Sequence, residues 1–214
     1  MSKNIIKKAE DIFDKYAVMY QSKYMDVEKY HKSLDCFLNL LPREDSEILE
    51  LACGPGNITQ YLLDQNPELK ILATDLSPAM LKLAAENNPS VRVQLLDCRS
   101  ILELKNSFDA ILCGFGLPYI SKEEAVQMIA DASHSLNNGG MFYLSTMEDD
   151  YSNSGFKGSS TNPNEGLHMY FHEAEYIVEA FEANQFEIAD LSRVKYSDGE
   201  GGEIIDLIVI GKKH

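Results

Sequence analysis

The chain has 214 residues and a mass of 24.0 kDa, enough for one substantial core. Its formal net charge of −15 repels phosphate backbones, and no basic patch offsets that, so neither a nucleic-acid substrate nor a nucleic-acid partner is expected. No apolar run reaches the ~20 residues of a membrane span, and Cys36, Cys53, Cys98 and Cys113 form no CxxC or metal-ligand spacing, which predicts reduced thiols, no metal, no membrane and a cytoplasmic location.

Two amphipathic helices come first. Residues 4–23 place Ile5, Ala9, Ile12, Phe13, Tyr16 and Tyr20 on one face, and residues 26–41 do the same with Val27, Tyr30, Leu34, Phe37, Leu38 and Leu41. Acidic residues interrupt the N-terminal stretch too early for a signal core. Residues 1–44 are therefore expected to form a helical cap ahead of a domain over 45–214.

From Glu47 onward, short apolar runs alternate with helical patterns. Strands are expected at 47–52, 70–74, 91–96, 108–113, 140–146, 185–194 and 203–211, and helices near 57–65, 78–87, 121–136 and 172–184. Ser121 and Glu124 have the spacing of a capping box, and Asn137-Asn138-Gly139-Gly140 makes a stop signal. Such alternation predicts an α/β fold, a doubly wound and mostly parallel seven-stranded sheet. Only a short turn around SDGEGGE (197–203) joins the last two strands, too little for a parallel crossover, so they must form a C-terminal antiparallel hairpin. Segment 147–168, rich in Gly, Ser and Asn, is long for a plain connection and reads as a lid or acceptor loop, with 147–172 as the whole lid segment.

The run EILELACGPGNITQYLL (47–63) is a strand, a glycine turn and a helix. A dinucleotide fingerprint needs GxGxxG, and the third glycine is missing from Gly54-Pro55-Gly56-Asn57-Ile58-Thr59. A phosphate loop needs a lysine, and none is present. Glu50 before the turn suits a cationic ligand better than a phosphate. Asp75 ends the second strand about twenty residues on, where a carboxylate accepts both ribose hydroxyls. Asp97 ends the third strand, placed to accept from an exocyclic amine such as adenine's. The ligand is thus expected to be a nucleoside without a pyrophosphate.

Read together, E-L-A-C-G-P-G-N, T-D-L-S-P-A-M-L, L-L-D-C and F-D-A-I-L-C-G-F-G-L-P-Y resemble, in order, the class I S-adenosylmethionine-dependent methyltransferases, small-molecule branch, with a Rossmann-like fold. The resemblance is strong over about 45–146 and weaker near 171–191. It implies S-adenosylmethionine as cofactor and S-adenosylhomocysteine as product. By the same resemblance, Glu50, Ala52, Gly54 and Gly56 surround the aminocarboxypropyl and ribose parts. Asp75 holds the ribose, Leu76 and Met80 flank the adenine, and Asp97 with the Cys98 backbone meets its amine. Phe115 lies near the sulfonium, and Tyr20 of the capping helix touches the methionine end.

The implied function is methyl transfer to a small soluble acceptor. The Asp/Asn-Pro-Pro-aromatic motif of amine-methylating nucleic-acid and amide enzymes is absent, since Gly116-Leu117-Pro118-Tyr119 stands there. His168, Tyr170 and His172 alternate and so share a face of an extended segment. They are expected to form a polar-aromatic wall of the acceptor pocket with one histidine as general base, or else a hydrogen-bonded connector. Glu148, Asp149 and Asp150 read as a solvated turn. The alternatives are a cofactor-binding domain acting through a partner without catalysis, or a nicotinamide-dependent reductase. Monomer and homodimer are both compatible with the sequence.

Overall fold

The computed structural model describes residues 2–158, 166–197, 199 and 201–214, the side chains of 2–8 excepted. The expected Ile5 contact, residues 159–165 of the lid segment and positions 198 and 200 of the last turn lie outside the described residues.

Strands β1 (Glu47–Leu51), β2 (Lys70–Asp75), β3 (Arg92–Leu95), β4 (Phe108–Gly114) and β5 (Leu136–Met147) pair in parallel. Helices α3 (Asn57–Gln65), α4 (Pro78–Asn87) and α5 (Lys122–Ser135) lie on the connections between them. β1 and β4 read as continuous apolar runs because both of their faces are covered. After α6 (Ala174–Ala183), the hairpin of β8 (Phe186–Ser197) and β9 (Glu203–Lys213) adds on antiparallel, with β9 against β5. The sheet order is β3-β2-β1-β4-β5-β9-β8, a seven-stranded and mostly parallel sheet closed by an antiparallel C-terminal hairpin, as expected.

The pleat sorts the core into two layers. Leu49, Ile111, Phe142 and Val209 face the side covered by α5 and α6. Ile48, Leu112, Tyr143 and Ile208 face the other side, covered by the N-terminal helices and α3. The predicted capping box is formed: the Ser121 hydroxyl accepts from the Glu124 N–H at 3.3 Å, and the Glu124 carboxylate accepts from the Ser121 N–H at 2.8 Å. Such a cap is worth about 1 kcal/mol.

Three boundaries differ from expectation. The first helix, α1 (Ser2–Tyr24), is followed by a 3₁₀ turn over Glu28–Tyr30, so α2 (His31–Leu40) starts five residues late. The cause is Asp26, whose carboxylate accepts from the Glu28 N–H at 2.8 Å and closes a turn that competes with the helix. β5 begins at Leu136, which pairs with Phe108 across an irregularity in the ladder. The 147–172 segment is not wholly irregular either. β6 (Gly155–Gly158) and β7 (Gly166–Met169) form a small antiparallel ribbon that sets Phe156 opposite His168.

Strand order reverses between β2 and β4 on either side of β1, so a crevice opens at the carboxyl ends of these strands. No helix among the described residues is long and apolar enough to cross a membrane.

Candidate functional site

That crevice is a cavity whose empty space, counted out to the open solvent at its mouth, is about 770 Å³. Its floor is Ala52 and Gly54 after β1, Asp75 and Leu76 after β2, Asp97 and Cys98 after β3, and Phe115 after β4. Ala52 and Phe115 have φ of +51° and +58°, left-handed conformations that non-glycine residues adopt at a cost. Both lie where the chain leaves a strand and bends around the cavity. Its roof comes from α1, through Ala9, Glu10, Phe13 and Tyr20.

Asp75 organises the glycine turn. One carboxylate oxygen accepts from the Gly54 N–H at 2.9 Å and the other from the Ser77 N–H at 2.8 Å. Burial raises its pKa above the ordinary value. The Leu76 N–H also bonds this carboxylate, which leaves part of its accepting capacity for a ligand hydroxyl. Burial also works against ionisation of Asp97, but hydrogen bonds from Arg99 outweigh it and hold that carboxyl below its ordinary pKa. Arg99 reaches Asp97 through Nε at 2.8 Å and Glu124 at 2.7 Å, tying the end of β3 to the first turn of α5.

Glu50 sits deeper. It is fully buried, the Thr59 hydroxyl donates to it, and burial pushes its pKa to about 7. It lines a smaller adjoining chamber of about 390 Å³, which shares Tyr20, Ala52, Gly54 and Phe115 with the main cavity and adds Tyr30. Tyr20 and Phe115 therefore stand between the two spaces.

The first helix is fastened over this site. The Ser77 hydroxyl and the Ala79 N–H (3.0 Å) donate to Asp14, the Asn87 amide donates to Gln21 at 2.8 Å, and the Asn57 amide donates to the Tyr24 carbonyl at 2.7 Å. Phe13 packs edge-on against Tyr119 at 5.0 Å, and Tyr20 lies 4.5 Å from Tyr24. An aromatic stripe thus lies across the cavity mouth.

Tyr20, Ala52, Gly54, Asp75, Leu76, Met80, Asp97, Cys98 and Phe115 are brought together on the main cavity. Glu50 belongs to the adjoining chamber. Gly56 lines neither. Its φ is +80°, and a Cβ there would stand 2.5 Å from the Asn88 amide and 3.2 Å from the Ala84 backbone. Glycine is needed at this position for the turn and for the close approach of α4. Phe13, Arg99 and Tyr119 line the cavity without having been singled out. Phe13 did carry a signal, the apolar face of the first helix.

His168, Tyr170 and His172 line neither space. The His168 and Tyr170 rings lie 4.6 Å apart, and the Tyr170 N–H donates to the Pro118 carbonyl at 2.8 Å, so this pair sits beside the turn bearing Tyr119. His172 is a correction. It is completely buried, with Nε2 2.9 Å from the Leu117 carbonyl and Nδ1 against the Tyr176 hydroxyl. A carbonyl only accepts, so Nε2 carries the hydrogen and Nδ1 accepts from Tyr176. Burial lowers its pKa to about 4. Both nitrogens are spent on the fold, and none is free to act as a base.

Residues 48–140 match the family model described as a methyltransferase domain. Trans-aconitate 2-methyltransferase of Variovorax paradoxus is 33% identical over 101 residues, covering 47% of this chain and 38% of that protein. A tRNA N(3)-methylcytidine methyltransferase of Schizosaccharomyces pombe is 27% identical over 143 residues, covering 63% of this chain and 58% of that protein. The chain matches less than two thirds of either relative's length. Among solved structures, 1,6-didemethyltoxoflavin-N1-methyltransferase of Burkholderia thailandensis, with bound 1,6-didemethyltoxoflavin and S-adenosylhomocysteine, has a TM-score of 0.73 at 20% identity. That match covers 100% of this chain and 90% of the other, and it is a likeness of fold.

Proposed function

We propose, from the premise that this chain belongs to the class I S-adenosylmethionine-dependent methyltransferases, that it transfers a methyl group from S-adenosylmethionine to a small acceptor molecule. The observation that carries the reading is the convergence of Asp75, Asp97, Gly54 and Phe115 on one cavity under an aromatic helix. The donor set suits the cofactor. It offers carboxylates to a nucleoside and to a cation, and Arg99, the one basic side chain among its described lining residues, is already engaged by Asp97 and Glu124.

In this reading Asp75 accepts the ribose hydroxyls, Leu76 and Met80 sandwich the adenine, and Asp97 with the Cys98 backbone takes its amine. Glu50, Ala52 and Gly54 receive the aminocarboxypropyl arm, with the Glu50 carboxylate facing its ammonium. Tyr20 and Phe115 offer ring faces to the positive sulfonium. When bound, the cofactor supplies a methyl group already activated for in-line displacement. The protein's share is to hold the acceptor in line and exclude water, an effect worth up to ~7–11 kcal/mol. Residues 1–44 serve as the cap, and the 147–172 segment, with His168 and Tyr170, walls the acceptor side. A charge of −15 favours a small acceptor over tRNA.

Isothermal titration with S-adenosylhomocysteine tests the assignment, with NAD⁺ as control. Wild type should bind the former at micromolar affinity or better, and Asp75→Asn should weaken it by about 2 kcal/mol, roughly thirtyfold. No heat from the wild type at high protein concentration would sink the reading. Unchanged affinity in a folded Asp75→Asn protein would show the ribose misplaced.

A further inference from the structure

The 3₁₀ turn after α1 meets the C-terminal hairpin in a cluster that the cofactor reading does not use. Asp206 of β9 is completely buried. The Tyr30 hydroxyl donates to one of its oxygens at 2.6 Å, and the Tyr196 hydroxyl lies 3.5 Å from the other. The Lys29 ammonium stands 3.6 Å from the carboxylate, 3.6 Å from the Tyr196 ring centroid and 4.9 Å from that of Tyr30.

Two ring faces and a buried carboxylate around one ammonium make a cation cage. Its walls and its occupant are held very differently. Tyr30 and Asp206 are buried and Tyr196 half-buried, whereas the Lys29 side chain is 43% exposed. The ammonium also stays beyond the ~2.7–2.9 Å of a close charge-assisted bond. The walls are the buried part of the cluster, and the cation is its exposed part.

The cage also adjoins the reaction space. The Tyr30 ring lies 5.2 Å from that of Phe115, which stands between the two chambers. Asp206 pairs with Met147 at the carboxyl end of β5, next to the strand that ends just before Phe115. A group held in the cage is one aromatic ring away from the place assigned to the sulfonium.

We propose that Tyr30, Tyr196 and Asp206 form a binding site for the ammonium group of an amine acceptor, with Lys29 filling it in the acceptor's absence. The proposal rests on the methyl-transfer reading above and narrows its substrate class. The acceptor carries a primary or alkylated amine, which anchors it for reaction near Phe115. The same buried carboxylate repels an acidic acceptor.

Butylammonium, the chemical likeness of a lysine end, is the probe, and butyrate is its anionic counterpart. The protein has no tryptophan, so its emission is that of tyrosine, including the caged pair. Titration of Lys29→Gln, which removes the ammonium from the cage, should show butylammonium binding at least about tenfold tighter than in wild type. Butyrate should bind neither protein, and adding Asp206→Asn should abolish the gain. Equal butylammonium binding in wild type and folded Lys29→Gln overturns the proposal, as does a gain that survives Asp206→Asn. Should Lys29→Gln fail to fold, wild type still decides. Butylammonium should speed acetylation of Lys29 relative to the exposed Lys82, read by mass spectrometry, and an unchanged ratio overturns the proposal. S-Adenosylhomocysteine titration of the same samples separates the two readings. Normal binding with no butylammonium gain sinks the cage alone, and no binding in wild type sinks methyl transfer while the cage result stands.

Discussion

Asp14, midway along α1, accepts a hydrogen bond from the Ala79 N–H at 3.0 Å, in the first turn of α4. The Ser77 hydroxyl, which also caps α4, donates to the same carboxylate oxygen. One acidic side chain therefore joins the roof of the cavity to the helix that follows Asp75. The carboxylate also sits at the positive end of that helix, where a negative charge is favoured.

Asp14→Ala should release this fastening while leaving the sheet intact. Hydrogen bonds of this kind contribute about 1 kcal/mol. Amides of residues 9–24 should exchange roughly fivefold faster in the free variant, and S-adenosylhomocysteine should dissociate faster than from wild type. Unchanged exchange in that helix would mean that Gln21, Asn57 and the aromatic stripe hold it without Asp14.

Glu50 makes stability depend on pH. Burial raises its pKa from 4.5 to about 7, so between those values the folded protein holds a proton that the unfolded chain has lost. Stability from this group is full below about pH 4.5 and is lost as pH rises through about 7. Glu50→Gln, which can still accept from Thr59, should be free of this loss. Its stability relative to wild type should climb between pH 5 and 8, by at most about 3 kcal/mol. Urea titrations at several pH values measure this, and parallel pH curves for the two proteins would refute it.

His172 gives the opposite slope. Its pKa falls from 6.5 to about 4 because burial disfavours the charged ring. The unfolded chain takes up a proton below about pH 6.5 that the native state refuses until about pH 4, so stability is lost across that window as pH falls. His172→Asn should remove the slope, worth at most about 3 kcal/mol. S-Adenosylhomocysteine affinity at neutral pH should stay within about twofold of wild type, because the ring lies away from the cavity. A large loss of affinity in the folded variant would return His172 to the site.

Much of this molecule is local, and local features are readable in a sequence. Strand and helix positions follow from apolar periodicity, and the terminal hairpin follows from a turn too short for anything else. Carboxylates at strand ends are predictable as neighbours because a parallel sheet brings those ends together, as it brings Asp75 and Asp97 onto one cavity. Gly56 shows the limit of this logic. Its motif points to a ligand, while the space it saves belongs to Ala84 and Asn88.

What only the tertiary structure decided are the relationships between residues far apart in the chain. His168, Tyr170 and His172 alternate in sequence, yet the last is turned into the core by Leu117 and Tyr176, partners that alternation cannot reveal. Asp206 reads as a polar residue in an apolar strand until Tyr30, 176 positions earlier, is found bonded to it. Periodicity reports which face of an element is buried, because burial repeats with the element's own pitch. It carries no information about what that face meets, because the partner is chosen by packing across the whole chain.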